Sequence, residues 1–265
     1  MKGKTAFFID IDGTLTAPGC WVHENNALWL KRAQKDGHKV FINTGRSKGN
    51  INAELMEAIS FADGIICGNG SHFIMDGADV FKRAIPVETL CRFSEYVLQH
   101  EDLWCLFEGE EELFSINRDS DADESSGIGR IKHKDDFKTK YSACPIEVVA
   151  VGRELPEGFK ELFADELNIF ELDGYSDCVC KGCNKAEAML KVLDIIGFEQ
   201  KYCVAVGDSG NDRSMLEAAG TSVAMGNADE RIKAMADMVT LPNTQGGVGE
   251  AVRRILYASE ISDEK

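Results

Sequence analysis

Residues 5–14 read TAFFIDIDGT and place two carboxylates, Asp10 and Asp12, at the end of an apolar run. The β-branched and aromatic residues of this run favour a strand, and a strand that is apolar on both faces requires helices on both sides of its sheet. In open α/β sheets, ligands bind beyond the carboxyl ends of the strands, where Asp10 would lie. Gly13 permits a sharp turn there. Since an acidic turn is also ordinary turn chemistry, this stretch alone predicts a buried strand and not yet a site.

A second acidic loop, GDSGND at residues 207–212, strengthens the case for a site. It follows another apolar run, KYCVAV at residues 201–206. If the two strands are neighbours, the carboxylates of both loops converge and repel one another, so either their pKa values rise or a divalent cation neutralises them. The carboxylates in question are those of Asp10, Asp12, Asp208 and Asp212. The pattern predicts a Mg²⁺ cofactor at this position.

Length and composition predict an ordinary globular protein. The chain has 265 residues, 44% hydrophobic and 28% charged, which argues against disorder and against a membrane protein. No apolar run approaches the ~20 residues of a spanning helix, and acid arrives too early after the N-terminus for a signal peptide. A cytoplasmic location is therefore expected. The net charge of −16 weighs against nucleic acid or an anionic membrane as a partner.

The nine cysteines are odd in number, which fits reduced thiols better than a disulfide framework. Cys178, Cys180 and Cys183 lie close enough in sequence to raise a zinc hypothesis. However, two paired CxxC spacings and a nearby fourth ligand are missing. Buried thiols are the favoured interpretation of this cluster.

The order of strand and helix patterns predicts two domains. Up to about residue 83, strands alternate with helices at residues 24–37 and 47–60, and a third strand is expected at residues 64–74; this pattern is typical of a doubly wound parallel sheet. Short strands and two helices follow in an α+β style, with a polar surface loop at residues 117–129, and the first pattern returns at Cys183. The expected fold class is α/β. A Rossmann-like core would comprise residues 1–83 and 182–265, with an α+β domain inserted at residues 84–181.

Four motifs carry a resemblance to a known family. They are DIDGT at residues 10–14, NTGRS at 43–47, CNKAEAML at 183–190 and GDSGNDRSML at 207–216. In this order they resemble the motifs of the haloacid dehalogenase superfamily of phosphohydrolases. GNGSHFI at residues 68–74 and the stretch at residues 222–240 resemble its Cof-like branch, whose cap domain is inserted between the second and third motifs. The predicted insertion lies at that place, and the resemblance covers nearly the whole chain.

The resemblance implies a phosphatase that acts on a small phosphorylated metabolite, by default a sugar phosphate. Asp10 would attack phosphorus and form an aspartyl-phosphate, and Asp12 would act as general acid and base. Mg²⁺ would be bound by Asp10, by the backbone carbonyl of Asp12 and by Asp208, with Asp212 in the ligand set or just behind it. Thr44 and Lys185 would be the other two catalytic residues, and the phosphate contacts would come from Asp10, Thr44, Gly45, Lys185 and Asn211. A monomer or homodimer is expected, with substrate choice made by the cap.

Several of these residues have plainer interpretations. Thr44 is also a good helix cap, and Lys185 is also an ordinary exposed helix lysine. Lys181 competes with Lys185, which is preferred because it directly precedes the amphipathic helix, as the family's lysine does. Arg46 stands at a helix start, where solvation is a commoner outcome than catalysis.

Two other functions remain as alternatives to hydrolysis. A phosphomutase uses the same aspartyl-phosphate but returns the phosphoryl group to a sugar, and GDSGND favours hydrolysis over that reaction. A catalytically silent metabolite-binding protein on the same scaffold would be expected if Asp10, Asp12 or Lys185 were missing. All three are present.

Overall fold

The computed structural model describes residues 3–18, 21–118, 125–152, 154–172 and 174–258. These residues form an eight-stranded sheet, a six-stranded sheet and a small two-stranded ribbon. Residues 119–124 of the predicted surface loop lie outside the described residues. Among the helices described, none is both long enough and apolar enough to span a membrane.

The eight-stranded sheet is built around the strand Ala6–Ile9, which is buried throughout. This strand pairs in parallel with Cys203–Gly207 on one side and with Lys39–Asn43 on the other. Ile9 lies opposite Val206 and Ile42, so all three strands end at one edge of the sheet. The strand order is Met238–Val239, Thr221–Ala224, Cys203–Gly207, Ala6–Ile9, Lys39–Asn43, Gly64–Cys67, His72–Met75 and Ala78–Lys82.

Helices cover both faces of this sheet, as the apolar central strand requires. Successive side chains of a strand point to opposite faces. Phe7 therefore packs with the helices of one layer and Phe8 with those of the other. The first layer contains Glu24–Lys35, Ala53–Ala58 and Gly247–Leu256; the second contains Lys185–Ile196, Arg213–Ala218 and Glu230–Met235. The predicted α/β fold is confirmed.

One edge of the sheet differs from the parallel arrangement that the sequence predicts. The single strand expected at residues 64–74 is two antiparallel strands, Gly64–Cys67 and His72–Met75, and Ala78–Lys82 adds a third antiparallel edge strand. The chain reverses at Gly68, Asn69 and Gly70, where φ is 57°, 49° and 94°. Consecutive positive φ angles break an extended strand, and glycine and asparagine tolerate them best.

The helix expected at residues 47–60 is also shorter than predicted. A 3₁₀ turn, Lys48–Asn50, comes first, and the helix Ala53–Ala58 begins after Asn52. Asn52 Oδ1 accepts the N–H of Leu55 at 2.8 Å, which is a standard N-cap contact. This cap fixes the start of the helix beyond the turn.

The six-stranded sheet forms a second layer over the carboxyl edge of the first. Its order is Gly129–Arg130, Leu113–Ile116, Trp104–Gly109, Ile146–Gly152, Tyr175–Cys180 and Leu167–Leu172. The helices Val87–Leu98 and Phe159–Phe163 cover one face in a phenylalanine-rich core. Cys105 and Phe107 point into that core, whereas Leu106 and Glu108, on the alternate face, line a cavity.

The chain passes between the two sheets twice. The first crossing leads from Ala78–Lys82 to the helix Val87–Leu98, and the second from Tyr175–Cys180 to the helix Lys185–Ile196. The expected division into a core and an inserted cap is compatible with these crossings. The cap boundaries at residues 84 and 181 stay a prediction.

Candidate active site

Asp10 lies at the carboxyl end of the central strand, where its N–H donates to the carbonyl of Val206 at 3.1 Å. The side chain is buried but lines a cavity between the two sheets. Asp10 Oδ1 accepts a hydrogen bond from Lys185 Nζ at 2.6 Å. The strand therefore holds this carboxylate at the edge where α/β folds bind ligands.

Lys185 is fully buried, so its interpretation as an exposed helix lysine is wrong. Its ammonium group also donates to Asp212 Oδ1 at 2.6 Å, and its backbone carbonyl accepts from Asn43 Nδ2 at 3.0 Å. Burial alone would lower the pKa of Lys185, but the carboxylates of Asp10 and Asp212 outweigh it and hold that pKa above its usual value. The competitor Lys181 is exposed and donates to the carbonyl of Ala164.

The loop after the strand Cys203–Gly207 brings Asp208 and Asp212 to the same place. Asp212 Oδ2 accepts the N–H groups of Asp208 and Ser209 at 2.9 and 3.1 Å. Asp208 Oδ1 accepts from the Thr14 hydroxyl at 2.7 Å. A Cβ on Gly13 would lie 2.3 Å from Asp208 Oδ2, so only glycine lets the two acidic loops pack together.

Three carboxylates at the site converge as a metal site requires. Oxygen atoms of Asp10, Asp208 and Asp212 lie within 4.8 Å of one another. Burial, reinforced by the charge of Asp212, raises the pKa of Asp10 well above its usual value, and burial raises the pKa of Asp208 to about 6. Such crowding favours a divalent cation, and an all-oxygen ligand set suits Mg²⁺. These residues therefore fit the predicted cofactor.

Asp12 is oriented differently from the other three acids. Its carboxylate is 55% exposed and forms a two-point ion pair with Arg46, whose Nε and Nη2 each donate at 2.8 Å. Arg46 Nη1 also donates to the carbonyl of Asn50 at 3.1 Å. Solvation, the interpretation favoured from the sequence for Arg46, is wrong. The guanidinium group fixes the direction of the Asp12 carboxylate.

The predicted phosphate-binding residues lie around the same edge. Thr44 is fully buried, and its hydroxyl accepts the N–H of Arg46 at 3.2 Å. Its interpretation as a helix cap is wrong, since Ser47 and Asn52 cap the helical segments that follow. Gly45 and Asn211 line the cavity, and a Cβ on Gly45 would lie 3.1 Å from Asn211 Nδ2. The glycine thus allows the second and fourth motifs to approach each other.

The cavity has a volume of about 660 Å³, which suits a small molecule. One wall belongs to the eight-stranded sheet: Asp10, Asp12, Gly45, Arg46, Asn50, Ser209 and Asn211. The other wall belongs to the six-stranded sheet: Trp104, Leu106, Glu108, Arg118, Ala150, Leu172, Tyr175 and Asp177. A ligand in this space would contact both sheets at once.

Two buried acids of the second wall were not anticipated from the sequence. Glu108 Oε1 accepts from Asn50 Nδ2 at 3.0 Å, and burial raises the pKa of Glu108. Asp177 Oδ2 accepts from Asn69 Nδ2 at 3.0 Å. Burial, with a contribution from the Glu108 charge, raises the pKa of Asp177 to about 7. The sequence did contain one signal for these residues: each is an acid within a strand whose neighbouring residues are mostly apolar.

Thr14 and Asn43 were also missed, although both lie within the motifs quoted above. Each makes its contact with a residue more than a hundred positions away, so their local sequence does not reveal the role. The zinc hypothesis for the cysteine cluster is not supported. In the described part of the chain, the carboxylate group above meets metal-site geometry and the cysteines at 178, 180 and 183 do not.

Comparison with known proteins identifies the family. The model of haloacid dehalogenase-like hydrolases matches residues 7–252. The chain belongs to this family. The predicted membership and the predicted enzyme class, a phosphatase of the Cof-like type, are both confirmed.

Individual relatives agree with this assignment over nearly their whole lengths. Phosphatase YwpJ of Bacillus subtilis is 27% identical over 94% of this chain and 98% of its own. The 5-amino-6-(5-phospho-D-ribitylamino)uracil phosphatase YcsE of the same organism is 28% identical over 92% and 93%. The solved structure of the subclass IIB sugar phosphatase BT4131 is similar at a TM-score of 0.80 with 26% identity, over 95% and 99% of the two chains.

Proposed function

We propose that this protein is a Mg²⁺-dependent phosphomonoester hydrolase that acts on a phosphorylated sugar or related polyhydroxy metabolite through an aspartyl-phosphate. The observation that carries the proposal is the Asp10 carboxylate, which opens into the cavity while Lys185 holds its Oδ1 atom. This contact leaves Oδ2 available to a phosphorus atom. Phosphoryl transfer depends mostly on positioning and charge stabilisation, and the site supplies both.

The first half-reaction forms a bond between Asp10 and phosphorus and breaks the bond to the alcohol. Asp12 is the general acid that protonates the leaving oxygen, because its carboxyl group lines the cavity and is accessible to a substrate there. Lys185 neutralises charge on the nucleophile side. Arg46 keeps the Asp12 carboxylate in one orientation.

The second half-reaction hydrolyses the aspartyl-phosphate. Asp12, now a carboxylate, removes a proton from water, the water oxygen attacks phosphorus, and the carboxylate of Asp10 is regenerated with release of inorganic phosphate. Asp10, Asp208 and Asp212 would hold Mg²⁺, which when bound supplies positive charge between the carboxylates and the phosphate dianion. Thr14 positions Asp208 for that ligand set.

The substrate class is supported by the cavity and by the relatives. YcsE is named for a phosphoribityl substrate and BT4131 is described as a sugar phosphatase. The wall of the six-stranded sheet combines Trp104 and Leu106 with the acids Glu108 and Asp177. Carboxyl groups accept hydrogen bonds from hydroxyls, while the apolar residues cover carbon atoms. The cap therefore acts as the specificity element, and the cytoplasmic location and oligomeric state stay predictions.

Two measurements test this function. Asp12→Asn protein, mixed with an aryl phosphate and Mg²⁺, should accumulate a phosphoryl group on the peptide that contains Asp10, seen by mass spectrometry. The double variant Asp10→Asn/Asp12→Asn is the matched control and should stay unmodified. A modified control would remove Asp10 as the nucleophile.

A panel of phosphorylated metabolites tests the substrate class and the reaction type. Sugar and polyol monophosphates should be hydrolysed faster than nucleotides, with inorganic phosphate released in proportion to substrate consumed. A sugar phosphate that is isomerised without phosphate release would instead establish the phosphomutase alternative. Binding of these compounds with no turnover under any metal condition would establish the silent binding protein.

A further inference from the structure

The second crossing between the sheets contains the sequence CKGC at residues 180–183. The N–H of Cys183 donates to the carbonyl of Cys180 at 3.0 Å, and Gly182 has a φ of 79°. These are the features of a type II turn with glycine at its third position. The ends of a β-turn lie within about 7 Å between Cα atoms, and disulfides span roughly 4.4–6.8 Å between theirs. The backbone therefore places both cysteines within bridging range.

The side chains of the turn meet as well. Cys180 packs against the buried cluster that contains Cys183, and the charge of Arg83 opposes the rise that burial causes in the pKa of the Cys183 thiol. Arg83 belongs to the first crossing, and a Cβ on Gly182 would lie 3.3 Å from Arg83 Nη1. The two crossings therefore lie next to each other at this turn.

The two thiols differ in access. Cys180 is partly exposed, whereas Cys183 is 2% exposed and packs with Val148 and Val179. Burial raises the pKa of Cys183 to about 11, although the charge of Arg83 opposes this. A buried thiol of high pKa is a poor first nucleophile, and an accessible one reacts sooner. Cys180 is therefore the thiol of this pair that is better placed to react first.

We infer that Cys180 and Cys183 form a reversible disulfide in the cap linker, made by exchange with a small-molecule disulfide such as glutathione disulfide. The thiolate of Cys180 attacks one sulfur of the small disulfide, whose S–S bond breaks and releases one thiol. The thiolate of Cys183 then attacks the Cys180 sulfur and releases the second thiol. The two protein protons end on the two released thiols, so the protein loses two electrons and the small disulfide gains them.

Because of the position of the turn, a disulfide there would affect the segment that leads to Lys185. The carbonyl of Cys183 accepts from Asn168 of the six-stranded sheet at 2.9 Å. The next residue, Asn184, caps the helix that begins with Lys185 by accepting the N–H of Glu187 at 2.9 Å. The bridge would therefore stiffen the segment that joins the cap to the catalytic lysine. Cap opening and closing would slow, and turnover with it.

The chemical half of the inference is tested without any activity assay. The full-length protein is equilibrated in glutathione redox buffers, free thiols are alkylated, and peptides are mapped by mass spectrometry. We expect the peptide with residues 180–183 to lose two hydrogens in oxidising buffer and to regain them with dithiothreitol. Cys180→Ser and Cys183→Ser should abolish this change. Cys144→Ser, which removes another partly exposed thiol, is the matched control and should preserve it.

The kinetic half rests on the proposed phosphatase function and is measured separately. Oxidation should lower kcat several-fold in the parent and in Cys144→Ser, reversibly, and leave Cys180→Ser unchanged. A mixed disulfide on Cys180 that Cys183 never resolves would overturn the inference. So would a complete bridge with unaltered kinetic parameters. A protein that forms the bridge but hydrolyses no phosphate contradicts the proposed function and leaves the redox chemistry intact.

Discussion

The acidic side chains on the two walls of the cavity have different kinds of hydrogen-bond partner. On the wall of the eight-stranded sheet, acids are paired with cations: Lys185 lies between Asp10 and Asp212, and Arg46 holds Asp12. On the wall of the six-stranded sheet, Glu108 and Asp177 accept hydrogen bonds from neutral amide side chains. Ion pairs therefore hold Asp10, Asp12 and Asp212, whereas neutral amides hold Glu108 and Asp177.

This difference in charge between the two walls suggests a division of tasks: one wall would carry out phosphoryl transfer and the other would select the substrate. Under the proposed function, a phosphate dianion would be stabilised where the ammonium and guanidinium groups, and the metal when bound, are concentrated, so the first wall would perform the transfer. Glu108 and Asp177, buried on the second wall, would disfavour a second phosphate group beside them but accept hydrogen bonds from hydroxyls. We expect the protein to favour monophosphates of neutral polyhydroxy compounds over bisphosphates. The following predictions test each wall, starting with the largest effect.

Replacement of Asp10 by asparagine should reduce turnover to the detection limit. The amide keeps the volume of the side chain and an acceptor for Lys185, but it is a poor nucleophile and removes one carboxylate charge beside that lysine. Steady-state hydrolysis of an aryl phosphate measures the effect, with circular dichroism to verify the fold. Asp194→Asn, at an exposed helix position, is the control and should retain parental activity. Near-parental turnover by Asp10→Asn would be fatal to the nucleophile assignment.

Removal of divalent metal should abolish activity reversibly. Without a cation, the converging oxygens of Asp10, Asp208 and Asp212 repel both one another and the substrate. Activity should vanish in excess chelator and return on titration with Mg²⁺. Calcium should restore it poorly because its coordination is larger and less rigid. Binding of Mg²⁺, followed by calorimetry, should be weakened by Asp208→Asn, and full activity in chelator would contradict the metal assignment.

Substitution of Arg46 by lysine should lower kcat roughly tenfold, a fraction of what general acid–base catalysis contributes. Lysine keeps the charge but lacks the planar fork that engages both oxygens of Asp12. Because Arg46 acts through Asp12, the pH profile of kcat should shift while KM changes little. Arg213→Lys is the control, since Arg213 pairs with Glu217 on an exposed helix. An unshifted pH profile would show that Arg46 does not position Asp12.

Local sequence patterns were sufficient to predict those site residues that directly follow a strand of the sheet. The apolar runs before Asp10 and Asp208 predicted neighbouring parallel strands, and their pairing through Ile9 and Val206 brings the two acidic loops together. The motifs also pointed to Lys185 over Lys181. These predictions depend on hydrophobic pattern and on the edge where parallel strands end, which are properties of short segments.

Other features depend on contacts that a segment does not encode. The ion pair of Arg46 with Asp12 requires the actual spacing of two loops. The reversal at Gly68 was obscured because its flanking residues are apolar and β-forming on both sides. Glu108 and Asp177 were missed because only the packing of the second sheet determines which strand face meets the cavity. In each case the deciding interaction is tertiary.

The smallest expected effect is on the free energy of unfolding and comes from Asp177, a buried acid of the second wall. Burial raises the pKa of Asp177 from its usual 3.8 to about 7, so the folded protein keeps this proton over a pH range in which the unfolded chain has lost it. The free energy of unfolding therefore falls as pH rises from about 4 to about 7. Above that range, the buried and ionised Asp177 lowers it by a constant amount. Asp177→Asn should be free of this loss, and its advantage over the parent should grow to roughly 2–4 kcal/mol at pH 7. Urea unfolding at a series of pH values measures the difference, with Asp194→Asn as the flat control. An advantage for Asp177→Asn that is the same at pH 4 and pH 7 would mean that Asp177 is ionised in the folded protein at both, and that the second wall, like the first, compensates its charges.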